Sequence, residues 1–207
     1  MSVPVPIFAH RILTTKEGGR SLEKAKESVK EKLAESFRAL VLQMPLEKIT
    51  IKDITDGAGV IRPTFYNHFK DKYDLIEWIW YQDVVSPVRT FWDMDMLIEA
   101  RKLTFARILK EKEYYLRISR MEGQNSFPDI MMESIRQMCL EYIEAKGNNS
   151  GNEFGITKED LADFYAHTVC YVLLRWIRSG MKQSPEEMSK IYEYISTNSL
   201  EQLMQFL

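Results

Sequence analysis

The chain has 207 residues, of which 45% are apolar, so it is long enough to bury a substantial hydrophobic core. Its 28 basic and 30 acidic residues give a formal net charge of −2, which excludes the strongly basic class of nucleic-acid-binding proteins but permits a local basic surface. Cys139 and Cys170 lack CxxC spacing, and the sequence contains neither a secretory signal nor an apolar run of about 18 residues, so we expect a cytoplasmic protein without disulfides or membrane spans.

The N-terminal part of the chain predicts a flexible arm followed by a long helix. Residues 1–20 contain two prolines and end in a charged stretch with two glycines. We expect this arm to be disordered, with a contact to the DNA minor groove as the alternative. Ser21 is the expected N-cap of the first helix, which runs to about Met44 and is stopped by Pro45.

The next segment predicts a short helix with strong capping signals. Thr50 is a good N-cap, and Asp53, three residues later, completes a pair that resembles a capping box. Gly57 and Gly59 are expected to end the helix. Gly59 can adopt the positive φ that a sharp turn requires.

A second short helix is predicted directly after this turn. Arg62, Pro63 and Thr64 open it, and proline is tolerated there because its missing N–H would be unpaired in the first turn anyway. Asp71 and Asp74 then cap the following helix. Two helices at a steep angle across a short turn form a helix-turn-helix, whose second helix enters the DNA major groove. The segment therefore predicts DNA binding.

The residues from Ala58 to Leu75, AGVIRPTFYNHFKDKYDL, resemble the signature of the TetR family of one-component transcriptional regulators. The detailed match covers about residues 22–80, and beyond it only the helix layout and the length agree. The resemblance implies an all-α protein. It would have an N-terminal three-helix helix-turn-helix domain in residues 21–70 and a C-terminal helical ligand-binding and dimerisation domain in residues 71–207.

Nine residues near the two short helices are candidate DNA contacts. Arg62 could donate two hydrogen bonds to guanine O6 and N7, and Asn67 could pair with adenine N6 and N7. Tyr66, His68 and Lys72 suit contacts to phosphates, which position the helix without reading sequence. The resemblance supports this division, and the alternative for each residue is an ordinary solvated side chain. The complete set is Thr50, Lys52, Arg62, Pro63, Thr64, Tyr66, Asn67, His68 and Lys72.

Three residues depart from the family pattern. Ile61 stands where the family usually has a small polar N-cap, so the second short helix loses its capping oxygen, at a cost of about 1 kcal/mol. Thr55 stands where the family usually has alanine, and Gly57 loosens the end of the preceding helix. These changes predict either a less rigid DNA-binding domain or shifted DNA contacts.

The rest of the chain is also helical in its hydrophobic pattern, with no strand-period segment of useful length. Pro87 is expected to end the helix that Asp71 caps. Thr157 with Asp160 and Ser184 with Glu187 form further capping pairs. The predicted helices cover about residues 71–86, 94–110, 112–121, 128–145, 157–179 and 184–207, with a flexible loop at residues 146–155.

The last two predicted helices carry broad apolar faces. Such a pair can close a four-helix bundle with a second copy of the chain across a two-fold axis, and the resemblance implies the same homodimer. The alternative is that these faces are buried within one subunit. The apolar residues are Leu161, Phe164, Tyr165, Thr168, Val172, Leu173 and Trp176 in the first helix and Ile191, Tyr194, Ile195, Leu200, Leu203 and Met204 in the second.

The central region, about residues 87–180, is rich in methionine and aromatic residues. Such side chains suit an apolar pocket for a small-molecule effector, although the same pattern is also typical of plain core. Arg175 could pair with an acidic effector or form an interhelical salt bridge. The candidate ligand contacts are Tyr114, Phe127, Tyr142, His167, Cys170 and Arg175.

Together these patterns predict a ligand-responsive transcriptional repressor that binds a palindromic operator as a homodimer, without a cofactor or metal. The first alternative is a TetR-like dimer with weakened DNA binding that acts through a protein partner. Exposure of Ile61 within an apolar patch would favour that reading. The second alternative is an enzyme. Three scattered histidines and two distant cysteines provide no metal-ligand spacing, and no phosphate-binding or nucleophile motif is present, so we exclude this class.

Overall fold

The structure is a computed structural model that describes residues 17–147 and 155–205. Over these residues the chain forms eleven α-helices and no strand, so the predicted all-α fold is confirmed. None of the described helices is both long and apolar enough to cross a membrane.

The first helix, α1, spans Glu17–Gln43 and begins earlier than predicted. Ser21 lies inside α1, so its prediction as the N-cap was wrong. Glycines at 18 and 19 suggested a loop, but each costs a helix only about 1 kcal/mol and does not forbid it. The remainder of the predicted arm, residues 1–16, lies outside the described residues.

Helices α2 (Ile51–Ala58) and α3 (Arg62–Tyr66) form the predicted helix-turn-helix. The capping box of Thr50 and Asp53 is confirmed, because each residue's side chain accepts a hydrogen bond from the other's backbone N–H. Gly59 adopts the left-handed conformation, with φ of 67° and ψ of 31°. This conformation ends α2 and turns the chain towards α3.

Gly57 lies within α2, so the prediction that it ends the helix was wrong. A Cβ atom at Gly57 would lie 2.3 Å from the hydroxyl oxygen of Ser36 on α1. That hydroxyl donates a 2.8 Å hydrogen bond to the carbonyl of Ile54. Gly57 therefore allows α1 and α2 to pack closely together, which the local sequence could not reveal.

The helix that Asp71 caps continues past Pro87, so the prediction that this proline ends it was wrong. The carboxylate of Asp71 accepts hydrogen bonds from the backbone N–H groups of Tyr73 and Asp74. Helix α4 (Lys72–Trp80) leads into a π-helical turn (Tyr81–Val85) and then into α5 (Ser86–Asp93). The wider π turn accommodates a residue that has no N–H and whose ring crowds the preceding turn.

The remaining helices follow the predicted order with two differences. Asp95 has a positive φ of 59°, so the sixth helix begins at Leu97 rather than near residue 94. The predicted last helix is two helices, because Asn198 is extended and Ser199 caps a new one. Residues 148–154 of the predicted loop lie outside the described residues. The bounds are α6 Leu97–Lys110, α7 Lys112–Ile118, α8 Phe127–Lys146, α9 Lys158–Arg178, α10 Pro185–Thr197 and α11 Leu200–Met204.

One continuous hydrophobic core joins the helix-turn-helix to the helices that follow it. Around the helix-turn-helix, the core contains the fully buried Phe37, Ile54 and Phe65. In the later helices, Trp80 packs edge-on against Tyr115 and Phe127, with ring centroids 6.1 and 5.5 Å apart. Helices α8 and α9 form an extensive packing contact there. The shared core thus anchors the helix-turn-helix on the later helices, and the polar side of the helix-turn-helix faces outwards.

Candidate DNA-binding surface and regulatory region

Helix α3 presents one buried and one exposed side. Phe65 is fully buried and packs against Phe69, with ring centroids 5.7 Å apart. Arg62, Tyr66 and Asn67 are exposed on the opposite side. Phe65 therefore fixes the rotation of α3, and the side chains predicted to read bases face solvent. Pro63 is exposed next to them, while Thr64 and His68 are half-buried.

Arg62 and Tyr66 form a pair along the surface of α3. One guanidinium nitrogen of Arg62 donates a 3.1 Å hydrogen bond to the Tyr66 hydroxyl, and the guanidinium carbon lies 5.6 Å from the ring centroid. An arginine has five N–H donors, so four stay available for a base or phosphate. The pair pre-orders two candidate DNA contacts before any duplex binds.

The start of α3 lacks a polar cap, as expected from the sequence. Ile61 is the N-cap residue, in the extended conformation with φ of −84° and ψ of 153°, and its side chain makes no capping hydrogen bond. Its carbonyl accepts a 2.9 Å hydrogen bond from the N–H of Thr64. The side chain of Ile61 is 70% exposed.

The start of α2 carries the two other exposed candidates. The ammonium of Lys52 pairs with the carboxylate of Asp56 one turn later, and this hydrogen bond raises the Lys52 pKa. The Thr50 hydroxyl donates to Asp53, which lowers the pKa of that carboxyl. Lys52 is charged and solvated, so a phosphate has only to compete with an exposed ion pair.

Lys72 is the candidate phosphate contact with the most extensive intramolecular bonding. Its ammonium donates hydrogen bonds of 2.9 Å to the carbonyl of Leu46 and 3.3 Å to that of Ile49. These carbonyls flank the 3₁₀ turn Leu46–Lys48, which connects α1 to α2. Partial burial lowers the pKa of Lys72. An ammonium has three donors, so one remains for a phosphate.

Thr55, the second departure from the family pattern, is buried but satisfied. Its hydroxyl donates a 3.0 Å hydrogen bond to the carbonyl of Lys52 within α2. A buried hydroxyl with a partner avoids the penalty of an unpaired polar group. The replacement of the usual alanine therefore leaves no unsatisfied group in the domain.

A polar network connects α1 to the helices beyond the helix-turn-helix. Arg38 on α1 donates hydrogen bonds of 2.7 and 2.8 Å to the two carboxylate oxygens of Asp83 in the π turn. Tyr115 on α7 donates a 3.1 Å hydrogen bond to the same carboxylate. Nearby, Arg117 donates a 3.0 Å hydrogen bond to the carbonyl of Val41 at the end of α1.

This Arg38–Asp83–Tyr115 network is partly shielded from water. Burial disfavours the charge of Arg38, but the Asp83 carboxylate outweighs that effect and raises the Arg38 pKa. Burial and the same carboxylate raise the Tyr115 pKa well above its ordinary value. The sequence pattern does not predict this network. Its local signal is a single aspartate directly before two valines, in a segment rich in apolar residues.

The six candidate ligand residues lie in three different environments, so the structure does not bring them into one pocket. Tyr114, Phe127 and Cys170 are buried in the core, and burial raises the Cys170 pKa to about 12. His167 and Arg175 are exposed on α9. The Nδ1 atom of His167 contacts the carbonyl of Asp163, and Arg175 donates a hydrogen bond to the hydroxyl of Tyr171.

Tyr142, the sixth candidate, lines a surface groove of about 240 Å³ between α5 and α8. Its ring packs edge-on against Trp92 at 5.3 Å, and its hydroxyl donates to Asp95. Arg89 pairs with Glu141 across the groove. A second groove of about 380 Å³ lies where the end of α1 meets α7, and its lining includes Val41, Met44, Leu46, Arg117 and Met121.

The predicted dimer faces are exposed in part. Phe164 and Tyr171 on α9 are 66% and 62% exposed, and the sequence analysis did not include Tyr171. Leu173 and Trp176 are buried, because α9 turns them towards Phe105 and the subunit core, so their assignment to the dimer face was wrong. The other exposed apolar residues are Leu161, Tyr165, Ile191, Tyr194, Ile195, Leu200 and Met204.

Two protein-family models match the chain. One, described as bacterial regulatory proteins of the tetR family, matches residues 38–79, which contain the helix-turn-helix and α4. The other, described as a transcriptional regulator C-terminal region, matches residues 97–198, from α6 to the end of α10. The two matched segments do not overlap, and the tetR-family segment precedes the C-terminal-region segment in the chain.

Curated relatives extend over most of the chain. The transcriptional repressor KstR2 of Mycolicibacterium smegmatis is 23% identical over 180 residues, covering 80% of this chain and 87% of KstR2. The dhaKLM operon transcriptional activator DhaS of Lactococcus lactis is 26% identical over 179 residues, covering 84% of this chain and 90% of DhaS. By their names, one of these relatives is a repressor and the other is an activator.

Solved structures share the fold. A TetR-family regulator from Syntrophomonas wolfei has a TM-score of 0.58 at 17% identity, with 86% of this chain and 98% of that chain covered. The structure of a dihydroxyacetone kinase operon activator, DhaS, also has a TM-score of 0.58, at 18% identity over 81% of this chain and 93% of that chain. At such identities the likeness shows the fold alone.

Proposed function

Because the chain belongs to the TetR family of transcriptional regulators, we propose that it is a homodimeric repressor that binds a palindromic operator and releases it in response to an effector. It is a DNA-binding regulator of transcription and not an enzyme. The observation that carries the proposal is the exposed polar side of α3, held outwards by the buried Phe65. A second helix of this kind reads bases in the major groove.

In the proposed complex, Arg62 and Asn67 read base edges while the residues around them hold the phosphate backbone. Arg62 keeps four free donors, enough for the two hydrogen bonds that guanine accepts. Tyr66, His68 and Lys72 position α3 through phosphates, since such contacts carry no sequence information. The remaining contacts come from the starts of the two short helices. They are Thr50 and Lys52 at α2 and Pro63 and Thr64 at α3.

The proposed dimer uses the exposed apolar faces of α9 and α10. Phe164 and Tyr171 are large, mostly exposed and one above the other at helical spacing. Burying such aromatic surface favours association, and a two-fold axis would bring the α9 and α10 pairs of two subunits into a four-helix bundle. A dimer would also account for recognition of a palindromic operator, because two recognition helices about 34–36 Å apart fit half-sites one DNA turn apart.

The proposed response to an effector is a population shift between two spacings of the helix-turn-helix domains. A small molecule that binds among helices α5 to α9 and prefers one spacing would change operator affinity only through that preference. The π turn is the structural link to the DNA-binding part, because Asp83 bonds both Arg38 on α1 and Tyr115 on α7. The six candidate ligand residues stay predictions.

A protein partner in place of DNA is the second candidate function. Its motivating observation is the exposure of Ile61. The exposed Arg62 and Asn67 make this surface mainly polar, and Pro63 is the other exposed apolar residue at the start of α3. A protein interface needs a larger apolar patch than one isoleucine. The surface therefore favours DNA.

The test is selection of bound duplexes from random DNA by the purified protein, followed by salt titration on the enriched sequence. We expect a palindrome with half-site centres roughly one helical turn apart and an affinity that falls linearly on a log–log plot against salt. A reporter gene carrying this operator then distinguishes a repressor from an activator, because repression lowers and activation raises transcription of the reporter. Absence of enrichment by a folded dimer would refute the DNA assignment and favour the protein partner.

A further inference from the structure

We propose that Ile61 reads the 5-methyl group of a thymine in the operator and is therefore a sequence-specificity residue of this chain. The proposal rests on the proposed function, because it requires α3 to dock in the major groove. It adds an apolar base contact to the polar contacts of Arg62 and Asn67. The family pattern, which usually has a small polar residue at this position, would not provide it.

Ile61 is an unfavourable residue for the free protein. Its side chain is 70% exposed, and it occupies the N-cap of α3 without offering a capping oxygen. Serine or threonine would satisfy a backbone N–H at the same position. A residue that breaks a local rule without a gain in the folded chain is expected where function requires it. The gain here would come only when DNA covers the side chain.

Ile61 lies at the end of α3 that the proposed docking brings to the bases. It directly precedes Arg62 and Pro63, which are exposed at the start of α3. In a helix-turn-helix, the N-terminal residues of the second helix are those that reach base edges. The thymine methyl is the apolar group that the major-groove edges of the base pairs offer, so an isoleucine there matches a thymine.

The side chain of Arg62 extends along α3, away from Ile61. Its guanidinium is bound to the hydroxyl of Tyr66, one turn further along α3, and lies against that ring. The charged group is thus drawn away from the first residues of the helix. Ile61 and Pro63 remain as the apolar groups at that end. We therefore expect the methyl contact on a base pair next to the guanine that Arg62 reads.

The test replaces each thymine of the selected operator, one at a time, by deoxyuridine, which removes only the methyl group. Burial of one methyl-sized group is worth about 0.8 kcal/mol, which corresponds to roughly a fourfold change in affinity. We expect one thymine per half-site at which uracil weakens binding about fourfold, and roughly fifteenfold when both half-sites are changed, because independent contributions add. The other thymines should respond much less.

Three variants assign this effect to Ile61. Ile61→Ser, which restores a capping side chain and so should fold, is expected to bind thymine and uracil duplexes equally. Ile61→Val should keep most of the discrimination. The matched control is Leu42→Ser on α1, which removes another exposed aliphatic side chain from the same domain and should discriminate like the unchanged protein.

Two results would overturn the inference. One is binding of the operator by the unchanged protein without sensitivity to uracil at any position. The other is equal sensitivity in Ile61→Ser. Failure of the proposed function gives a different result. If no duplex is enriched in the first selection, DNA binding itself is refuted, and the methyl contact with it.

Discussion

At the scale of single residues, Lys72 combines an internal role with a proposed external one. Its ammonium ties two carbonyls around the turn between α1 and α2, and one donor remains for a phosphate. The sequence analysis predicted only the phosphate contact, since the motif shows the residue and not its partners. A residue with both roles would link the conformation of the turn between α1 and α2 to the affinity for DNA.

Replacing Lys72 by alanine should affect stability and DNA binding together. Loss of two hydrogen bonds from a charged donor is expected to lower the free energy of unfolding by about 1–2 kcal/mol, measured by urea denaturation. The log–log salt slope of operator binding should become smaller by about two for the dimer, one for each subunit. Lys110→Ala on α6 is the matched control, because that lysine is exposed and remote from the helix-turn-helix. An unchanged salt slope in Lys72→Ala would argue against the phosphate contact.

Replacing Ile61 by serine should stabilise the folded protein. A serine N-cap is worth about 0.5–1 kcal/mol over an aliphatic residue, because its hydroxyl accepts a hydrogen bond from an otherwise unpaired N–H of α3. The free energy of unfolding, measured by urea denaturation, is therefore expected to rise by that amount. Leu42→Ser, which lies within α1 and has no cap to form, serves as the comparison. A decrease in stability would mean that Ile61 is covered in the free protein.

At the scale of helices, the π turn between α4 and α5 explains two features at once. It lets the helix pass Pro87, and it contains Asp83, the centre of the Arg38–Asp83–Tyr115 network. π turns within α-helices are frequent at functional sites, and the functional role proposed for this one is to couple α1 to α7. A helix ending at the proline would have separated these contacts from the DNA-binding part.

Replacing Asp83 by asparagine should destabilise the protein by about 2 kcal/mol, measured by urea denaturation. The substitution keeps the size of the side chain but leaves the guanidinium of Arg38, whose side chain is only 24% exposed, without an opposite charge. Asp56→Asn removes the partner of Lys52 in an exposed pair and should cost less than about 0.5 kcal/mol. Equal effects of the two substitutions would show that the network is no stronger than a surface ion pair.

The α8–α9 contact predicts a pH dependence. Burial raises the pKa of Cys139 to about 11 and that of Cys170 to about 12, from an ordinary value of 9.0. The unfolded chain therefore releases these protons first, so the stability contribution is complete below about pH 9 and is lost as the pH rises towards 11 and 12. Urea titrations from pH 8 to pH 11 should show this decline, and a Cys139→Ala, Cys170→Ala variant should show less of it. A thiol reagent that modifies both cysteines of the native protein at pH 8 would contradict their burial.

At the scale of the whole molecule, α9 and α10 carry many of the large apolar side chains that the described surface exposes. Phe164 and Tyr171 are both exposed by more than half, although large aromatic side chains are usually buried. In the proposed dimer these side chains become core. The separation of the two recognition helices is then determined by the dimer and not by one chain.

If the protein is the proposed dimer, replacing Phe164 by glutamate should convert it into monomers, measured by light scattering after size-exclusion chromatography. A charge in a closely packed apolar interface is costly to desolvate, so association should weaken strongly. Operator affinity should fall with it, because one subunit then holds only one half-site. Met94→Glu is the control, since Met94 is an equally exposed apolar residue that follows α5 and belongs to neither α9 nor α10. A persistent dimer in Phe164→Glu would place the interface elsewhere.

What the sequence alone determined was local. Helical periodicity identified the all-α fold, and the capping pairs at Thr50, Thr157 and Ser184 marked where helices begin, because partners three residues apart meet whatever the tertiary structure is. The motif from Ala58 to Leu75 identified the helix-turn-helix, since its turn and its buried phenylalanines lie within one short segment.

The tertiary structure decided the features that depend on residues distant in the chain. Gly57 reads as a helix breaker until Ser36 is seen against it, and the bonding of Lys72 depends on a turn more than twenty residues earlier. Trp176 was assigned to a dimer face because its helical spacing fits, but packing against Phe105 turns it inwards. Periodicity shows which residues share a helix face, whereas packing between helices decides whether that face meets the core, a partner or solvent.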